Sequence, residues 1–266
     1  MRRLLLSVLF TLPLAAQDSL LFPRFSVTGS YAPSSFDTNA RIDPDEAAGE
    51  GTLVSFERDL GLEDTATLQR FGVQWRPFAR HELAASYFSA PRSGFAQIDR
   101  EIVFRDEVYR VNAQVTSQFD LDVLSATYTY WARRGPRDGF GLTLGVATLS
   151  LNTAVTAVQP NQTVTATESA ETDVPVALGG AQGRVAFTRR LLGEASVLAL
   201  PRVTIEDYSG RALTANARLE YRPLDWIGIG AAYNYFRLDV DVAQADLGAS
   251  LDMTIRGPEA YVRFAF

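Results

Sequence analysis

The chain ends in Ala260-Tyr-Val-Arg-Phe-Ala-Phe266, and this stretch decides the fold. Successive side chains of a β-strand point to opposite faces. One face of this stretch is apolar and consists of Ala260, Val262, Phe264 and Phe266. The opposite face carries both signs of charge and consists of Glu259, Tyr261, Arg263 and Ala265. The alternation predicts a strand that separates an apolar medium from an ionic interior.

The other end of the chain predicts a secretory signal peptide over residues 1–16. Met1-Arg2-Arg3 is the charged start, residues 4–14 are the apolar middle, and Ala15-Ala16-Gln17 is the small-residue exit. The apolar run is shorter than the roughly 20 residues that a membrane-spanning helix needs. We therefore expect an exported domain over residues 17–266; the alternative is that the apolar run is a buried N-terminal strand.

The composition excludes several classes of protein. The chain contains no cysteine, so neither disulfides nor thiolate metal sites hold it together. Its net charge of −6 argues against nucleic acid as a partner. Beyond the N-terminal run it has no long apolar segment, which excludes a helical membrane protein. A β-barrel remains compatible, because its lipid-facing residues alternate with polar ones.

Alternating segments separated by turn residues predict an all-β fold, a transmembrane antiparallel up-and-down β-barrel. We count about ten strands, near residues 22–34, 65–76, 80–90, 119–132, 139–155, 174–188, 195–206, 211–222, 226–241 and 250–266. Eight or twelve strands remain possible. Short Arg-rich turns alternate with longer connections, as expected of short periplasmic turns and long extracellular loops. Two outer hairpins are predicted, over residues 94–118 and 155–167.

Aromatic residues are spaced along the predicted strands as two interface girdles. The predicted membrane-interface aromatics are Trp75, Tyr87, Tyr221, Trp226, Tyr233, Tyr235, Phe264 and Phe266. In the alternative fold, a soluble β-sandwich or lipocalin-like barrel, these rings would pack inside a core.

The charged face of each strand predicts an ionic lumen. The expected luminal charge network is Arg70, Arg76, Glu82, Arg184, Arg218, Glu220, Arg222, Glu259 and Arg263, with Gln74, Gln182 and Asn216 beside it. Ten strands enclose a lumen only somewhat wider than the eight-stranded barrels that side chains fill. Paired arginines and glutamates would therefore plug it. Gly228 and Gly230 also face inward, where they leave room for a side chain from across the lumen.

Candidate catalytic and metal-binding residues are few. His81 is the one histidine, and its position beside a short turn predicts an interfacial anchor. Residues 37–64 are rich in aspartate and glutamate but do not match the spacing of a calcium loop. We expect no catalytic site, no metal site and no cofactor.

The signal peptide, the aromatic girdles and Phe266 together resemble small bacterial outer-membrane β-barrel proteins of the OmpA and omptin style. Residues 51–62, 76–83 and 98–104 resemble segments of uncharacterised proteobacterial barrels. The resemblance implies a Gram-negative outer membrane, surrounded by lipid and lipopolysaccharide. It also implies that the assembly machinery recognises the C-terminal strand. Barrel proteases and lipid-active barrels are implied to need a catalytic histidine.

We therefore expect a barrel with a structural or surface-interaction role and a lumen largely plugged by arginine and glutamate. The alternatives are a narrow, porin-like passive pore for small solutes and a lipid-active barrel enzyme. The sequence does not identify an external ligand.

Overall fold

The computed structural model describes residues 21–43, 53–97, 102–104, 107–109, 114–158, 165–205, 208–244 and 247–266. The predicted signal peptide lies outside these residues, as does part of the acidic segment, residues 44–52. No helix among the described residues is long and apolar enough to cross a membrane.

The described residues form thirteen β-strands. Their bounds are β1 Phe25–Asp43, β2 Val54–Ser55, β3 Thr65–Phe78, β4 His81–Gln97, β5 Ile102–Phe104, β6 Glu107–Tyr109, β7 Gln114–Arg134, β8 Asp138–Val158, β9 Thr165–Ala186, β10 Leu191–Ile205, β11 Tyr208–Leu224, β12 Ile227–Gln244 and β13 Leu247–Ala265. Ten long strands pair antiparallel in chain order, and β13 pairs with β1 to close the sheet. The prediction of a ten-stranded up-and-down barrel is confirmed.

The short strands β2, β5 and β6 lie at one end of the barrel. β5 pairs with β6 as a hairpin inside the predicted segment 94–118. β2 pairs with β1, and Leu62 bridges to Gly94 on β4. β3 begins only at Thr65, so it does not reach the end of the barrel at which β1 finishes. There, residues 54–62 complete the wall between β1 and β4.

The two ends of the barrel differ. We call the end with the connections 79–80, 135–137, 187–190 and 225–226 the base; Leu21 and Phe266 also lie there. We call the other end the top. The sequence also predicts long connections at residues 159–173, 207–211 and 243–250. Their described residues are strand, and β8 pairs with β9 as far as Val158 and Thr165. The alternation of these segments is weak in sequence, so the sequence predicts loops there.

An apolar belt surrounds the outside of the barrel next to the base. Phe71, Leu144 and Ile229 point outward and are 59%, 66% and 54% exposed. On β12 the belt runs over residues 227–235, about 27 Å along the strand at roughly 3.3 Å per residue. A tilted strand of about 9–11 residues crosses a bilayer. The belt therefore has the extent of a membrane-spanning surface.

The polarity of the two faces inverts above the belt. On β7, Leu124 faces outward, but the next outward residues toward the top are Asp122 and Asp120. The inward residues at this level, Val123 and Leu121, are apolar and buried. The prediction that apolar residues face lipid and charged residues face the lumen holds only within the belt. Above it the wall meets water, so the inside becomes an apolar core and the outside becomes polar.

The belt and the region above it should respond differently to an outward charge. Leu144→Arg should lower the free energy of unfolding by about 2–4 kcal/mol, because an arginine near the middle of the belt contacts hydrocarbon. Thr148→Arg, four residues further along β8, should cost only about 0–1 kcal/mol. Urea unfolding in lipid vesicles measures both values. Equal costs at the two positions would contradict this placement of the belt.

Candidate functional site

The lumen next to the base holds an ionic network that begins at Arg184 of β9. Arg184 donates to both carboxylate oxygens of Glu82 on β4, each at 2.8 Å, and to Glu194 on β10 at 3.0 Å. Trp131 donates its indole N–H to Glu82 at 3.2 Å. The guanidinium of Arg184 lies 4.5 Å from the centre of the Trp131 ring. Glu82 is thus held by charge-assisted hydrogen bonds on both oxygens.

The network continues across the lumen through Arg263 of β13. Arg263 lies 3.8 Å from Glu194 and 3.3 Å from Glu220 on β11. Arg222 donates to Glu220 at 2.6 Å. In the sheet, β4 and β9 are separated by two strands, as are β10 and β13. The pairs of Arg184 with Glu82 and of Arg263 with Glu194 therefore span the lumen, whereas Arg184 with Glu194 joins neighbouring strands.

A second group of polar side chains lies closer to the middle of the lumen. Arg70 of β3 lies 3.8 Å from Glu259 on β13 and donates to Asn234 at 3.3 Å. Asn234 donates to Glu259 at 2.6 Å and accepts from Asn216 at 2.6 Å. This group connects β3, β11, β12 and β13.

Arg218 of β11 differs from the other luminal arginines. Among the described residues it has no carboxylate within 4.0 Å and no hydrogen-bond acceptor, and its Nε is buried without a partner. Its guanidinium lies 5.5 Å from the centre of the Tyr261 ring. The aromatic face gives it a weak electrostatic contact, and the charges of Glu259 and Glu194 act on it from beyond hydrogen-bond distance.

Glycines on β12 make room for the network, as the sequence predicts. A Cβ built at Gly230 would overlap the ring of Tyr261, and one built at Gly228 would lie 2.6 Å from the side chain of Glu220. Tyr261 and Glu220 therefore occupy the space that side chains on β12 would fill.

The base of the lumen is closed by a small apolar cluster. It consists of Leu21, Phe22, Trp131 and Leu192, and Phe22 meets Trp131 edge-on at 4.8 Å. Arg76 holds this cluster in place by donating to the carbonyl oxygens of Phe22 at 2.6 Å and Pro23 at 3.3 Å. Arg76 thus lies apart from the arginines that span the lumen.

The top of the lumen is filled by a large apolar core. Its buried members include Phe36, Phe119, Leu121, Leu238 and Met253. All ten barrel strands contribute to this core or pack against it, so its side chains meet at the centre of the lumen. The alternation of charged residues along the strands does not predict this layer, because the layer depends on the inversion of polarity above the belt.

One ion pair is embedded in the apolar core. Arg92 of β4 donates to Glu57 at 2.6 Å and to the Thr38 hydroxyl at 3.2 Å. Its guanidinium lies between the rings of Phe36 and Phe119, at 4.3 and 4.9 Å. Glu57 also accepts from the backbone N–H of Thr38 at 2.9 Å. This pair fastens residues 54–62 to β1 and β4.

A chamber of about 290 Å³ lies between the ionic network and the apolar core. Arg218, Glu259 and Arg263 border it toward the base, and between its two ends the guanidinium of Arg70 lies 4.8 Å from the centre of the Phe88 ring. Its sides carry hydroxyl groups, among them those of Ser86, Ser125, Thr127 and Thr143. Leu68, Val123 and Phe236 border it toward the top.

The aromatic residues expected at the membrane interfaces lie on the outside of the barrel. Seven of them are 41–59% exposed, and Tyr235 is half-buried. Trp226 stacks on Phe264 near the base, with ring centres 6.2 Å apart. Tyr87 donates to Asp122 at 2.7 Å, at the level where the outer face becomes polar.

His81 lies at the start of β4 beside the base. Its Nδ1 is 2.6 Å from the Tyr128 hydroxyl, and its ring contacts Phe78 and Tyr130. The described residues contain no group of three or more histidine, aspartate and glutamate side chains that could hold a metal ion.

Sequence reasoning missed Glu194, Trp131, Arg92 and Glu57. The strand predicted near residues 195–206 begins one residue after Glu194 and so places Glu194 in a turn. Tyr128 and Tyr130 are outward on β7, so the alternation alone could have placed Trp131 inside. No sequence signal links Arg92 to Glu57, because residues 54–62 meet β4 only through the closed barrel.

No protein-family model matches this chain, and a comparison with curated proteins finds no match. Solved structures match its fold. The outer membrane protease OmpT from Escherichia coli superposes with a TM-score of 0.56 at 7% sequence identity, covering 91% of this chain and 97% of that one. The translocator domain of the autotransporter NalP from Neisseria meningitidis gives 0.45 at 13% identity, covering 91% and 88%.

The likeness to OmpT shows the fold alone, since so few residues are identical. With the apolar belt and the closed ring of ten strands, it makes this chain a small transmembrane β-barrel of the bacterial outer-membrane type. Barrels of this architecture reside in the bacterial outer membrane.

The ionic network should dominate the stability of the base. Arg184→Ala leaves Glu82 and Glu194 buried without their main partner, and should lower the free energy of unfolding by about 3–5 kcal/mol. The control is Arg202→Ala, which breaks an exposed pair with Asp241 at 3.1 Å and should cost less than about 1 kcal/mol. Urea unfolding measures the difference, and equal costs would show that the network contributes no more than a surface pair.

The contact between Tyr261 and Gly230 gives a second stability test. Gly230→Ala should destabilise the barrel by about 1–3 kcal/mol, because the added methyl overlaps the Tyr261 ring. Gly179→Ala is the matched control, since its Cβ would meet only Leu144 at an ordinary 3.6 Å. Adding Tyr261→Leu to Gly230→Ala should recover part of the loss. No recovery in the double variant would exclude the clash as the cause.

Proposed function

We propose that the protein is a closed outer-membrane barrel with a structural or surface-interaction role, through which no solute path runs. The observation that supports this is the obstruction of the lumen by two layers of different chemistry. The ionic network crosses it near the base, and the apolar core fills it near the top.

The ionic layer obstructs the lumen because its pairs are short and buried. Arg184 and Glu82 have side chains that are only 4% and 3% exposed. Moving either group aside would leave a charge without its partner in a site removed from water, which is strongly unfavourable. The pairs therefore hold their positions across the lumen.

The apolar layer obstructs the lumen in another way. Leu121 and Met253 are completely buried, which shows that side chains from opposite walls pack against one another. An ion or polar solute would have to give up its hydration in this layer without gaining polar partners. Rearrangement of the ionic network alone would therefore not open a path.

The proposed role then lies at the outer surface. Beyond the belt, the outward faces of β11 to β13 carry an exposed ionic network. Arg237 donates to Asp252 at 2.7 Å, and Arg211 donates to Asp239 at 2.7 Å. If the short connections of the base face the periplasm, as the sequence predicts, this surface faces outward and meets lipopolysaccharide or external partners. We also propose that the assembly machinery recognises the C-terminal strand β13, which has the two-faced pattern of the sequence prediction.

We propose no catalytic role. His81 lies near the base among aromatic rings, with Tyr128 as its hydrogen-bond partner. This arrangement supports an interfacial anchor. Replacing His81 with alanine would reveal a catalytic role only by abolishing an activity of the protein.

Single-channel recording in planar bilayers tests the closed lumen. The refolded protein should give no steady unitary currents at neutral pH, because both layers must open before ions can pass. Phe119→Ser or Arg184→Ser alone should remain silent, since each disturbs one layer only. A barrel of known conductance, inserted under the same conditions, is the positive control.

Steady unitary currents from the wild-type protein would contradict the proposal. They would support the alternative of a narrow passive pore, for which the chamber of about 290 Å³ would be the wide section of the path.

A further inference from the structure

The chamber has two chemically different ends. Toward the base it is bordered by Arg218 and Arg263, and toward the top by Leu68, Val123 and Phe236. Hydroxyl groups lie between them. A molecule that satisfies both ends must carry a polar group at one side and an apolar body at the other.

Arg218 sets the charge of the polar group. It borders the chamber, and among the described residues its guanidinium has no acceptor and no carboxylate within 4.0 Å. The Nε atoms of Arg70 and Arg263, on either side, are also buried without a partner. The inward-facing charges around the chamber are Arg70, Arg184, Arg218 and Arg263 against Glu82, Glu194 and Glu259. The positive excess favours an anion.

We propose that the chamber binds a small amphiphilic anion, a monocarboxylate with a compact apolar body. The carboxylate accepts from the planar guanidinium of Arg218, a geometry that arginine offers in bidentate form. The body packs against Leu68, Val123 and Phe236. A highly charged anion such as inorganic phosphate fits less well, because the apolar end gives it no partners.

The volume limits the ligand to a small molecule. A cavity of about 150 Å³ is enough for a benzene ring. The chamber, at about 290 Å³, has room for a ring and a carboxylate but not for a long acyl chain. This binding goes beyond the proposed surface role and does not depend on it, since a closed barrel can hold a ligand within its lumen.

Benzoate is a suitable probe, because it joins one carboxylate to one ring. The barrel is refolded from urea with benzoate present, so that the chamber is loaded whether or not a route into the folded barrel exists. Saturable binding should raise the urea midpoint by about 1 M at a hundredfold excess over the Kd. Benzyl alcohol, the neutral match, should give no such shift.

Arg218→Met should abolish the benzoate shift, because methionine fills similar space without charge or donors. Arg202→Met, on the outer surface, should retain it. Heat-modifiable migration on a gel shows whether each variant is folded. If Arg218→Met does not fold, two other measurements test the proposal. They are the benzoate shift of Arg218→Lys and the comparison of benzoate with benzyl alcohol on the wild-type protein. Arg218→Lys should bind, more weakly, since lysine lacks the planar fork.

Three results would overturn the proposal. The first is no benzoate shift in the wild-type protein, which would mean that the chamber holds water alone. The second is an undiminished shift in folded Arg218→Met. The third is an equal shift with benzyl alcohol, which would indicate general partitioning of aromatic molecules into apolar surface.

Discussion

The pairing of β13 with β1 is the interaction on which the rest of the structure depends. The two strands pair from Ser26 opposite Ala265 to Asp43 opposite Gly248. Hydrocarbon offers no partner for a backbone N–H or C=O group, so a sheet in lipid must have no open edge. Closing the sheet meets that requirement and creates an interior that side chains must fill. Both the ionic network and the apolar core follow from this need.

The interior is filled differently at two heights because the medium outside the wall changes. Within the belt the outward residues must be apolar, which leaves polar residues for the inside, and these pair across the lumen as Arg184 does with Glu82. Above the belt the outward residues meet water, so the apolar ones turn inward, as Leu121 and Leu238 do. The upper part of the barrel is thus built like a water-soluble β-barrel. The chamber lies where these two fillings meet.

Much of this architecture could be predicted from the sequence. The alternation of apolar and polar residues predicts the barrel and its ten strands. The same alternation over residues 213–222 predicts that Arg218 and Glu220 face the lumen. The inversion of polarity was not predicted, although the sequence marks it with pairs of adjacent apolar residues. Tyr87-Phe88, Val123-Leu124 and Tyr235-Phe236 each lie at the edge of the belt. Ion pairs such as Arg92 with Glu57 could not be predicted, because partners distant in sequence are brought together only by closure of the sheet.

The inversion of polarity also fixes how deeply the barrel sits in its membrane. On β8 the outward apolar residues run only from Phe140 to Val146, about 20 Å along the strand at roughly 3.3 Å per residue. Polar residues begin at once above them, so a thicker bilayer would have to thin locally or cover Thr148 and Ser150 with hydrocarbon. Such mismatch costs fractions of a kcal/mol per Å and sorts proteins between membranes. The barrel is therefore matched to a thin bilayer. Moving it along the membrane normal in either direction would bring polar residues into contact with hydrocarbon, so both movements are opposed.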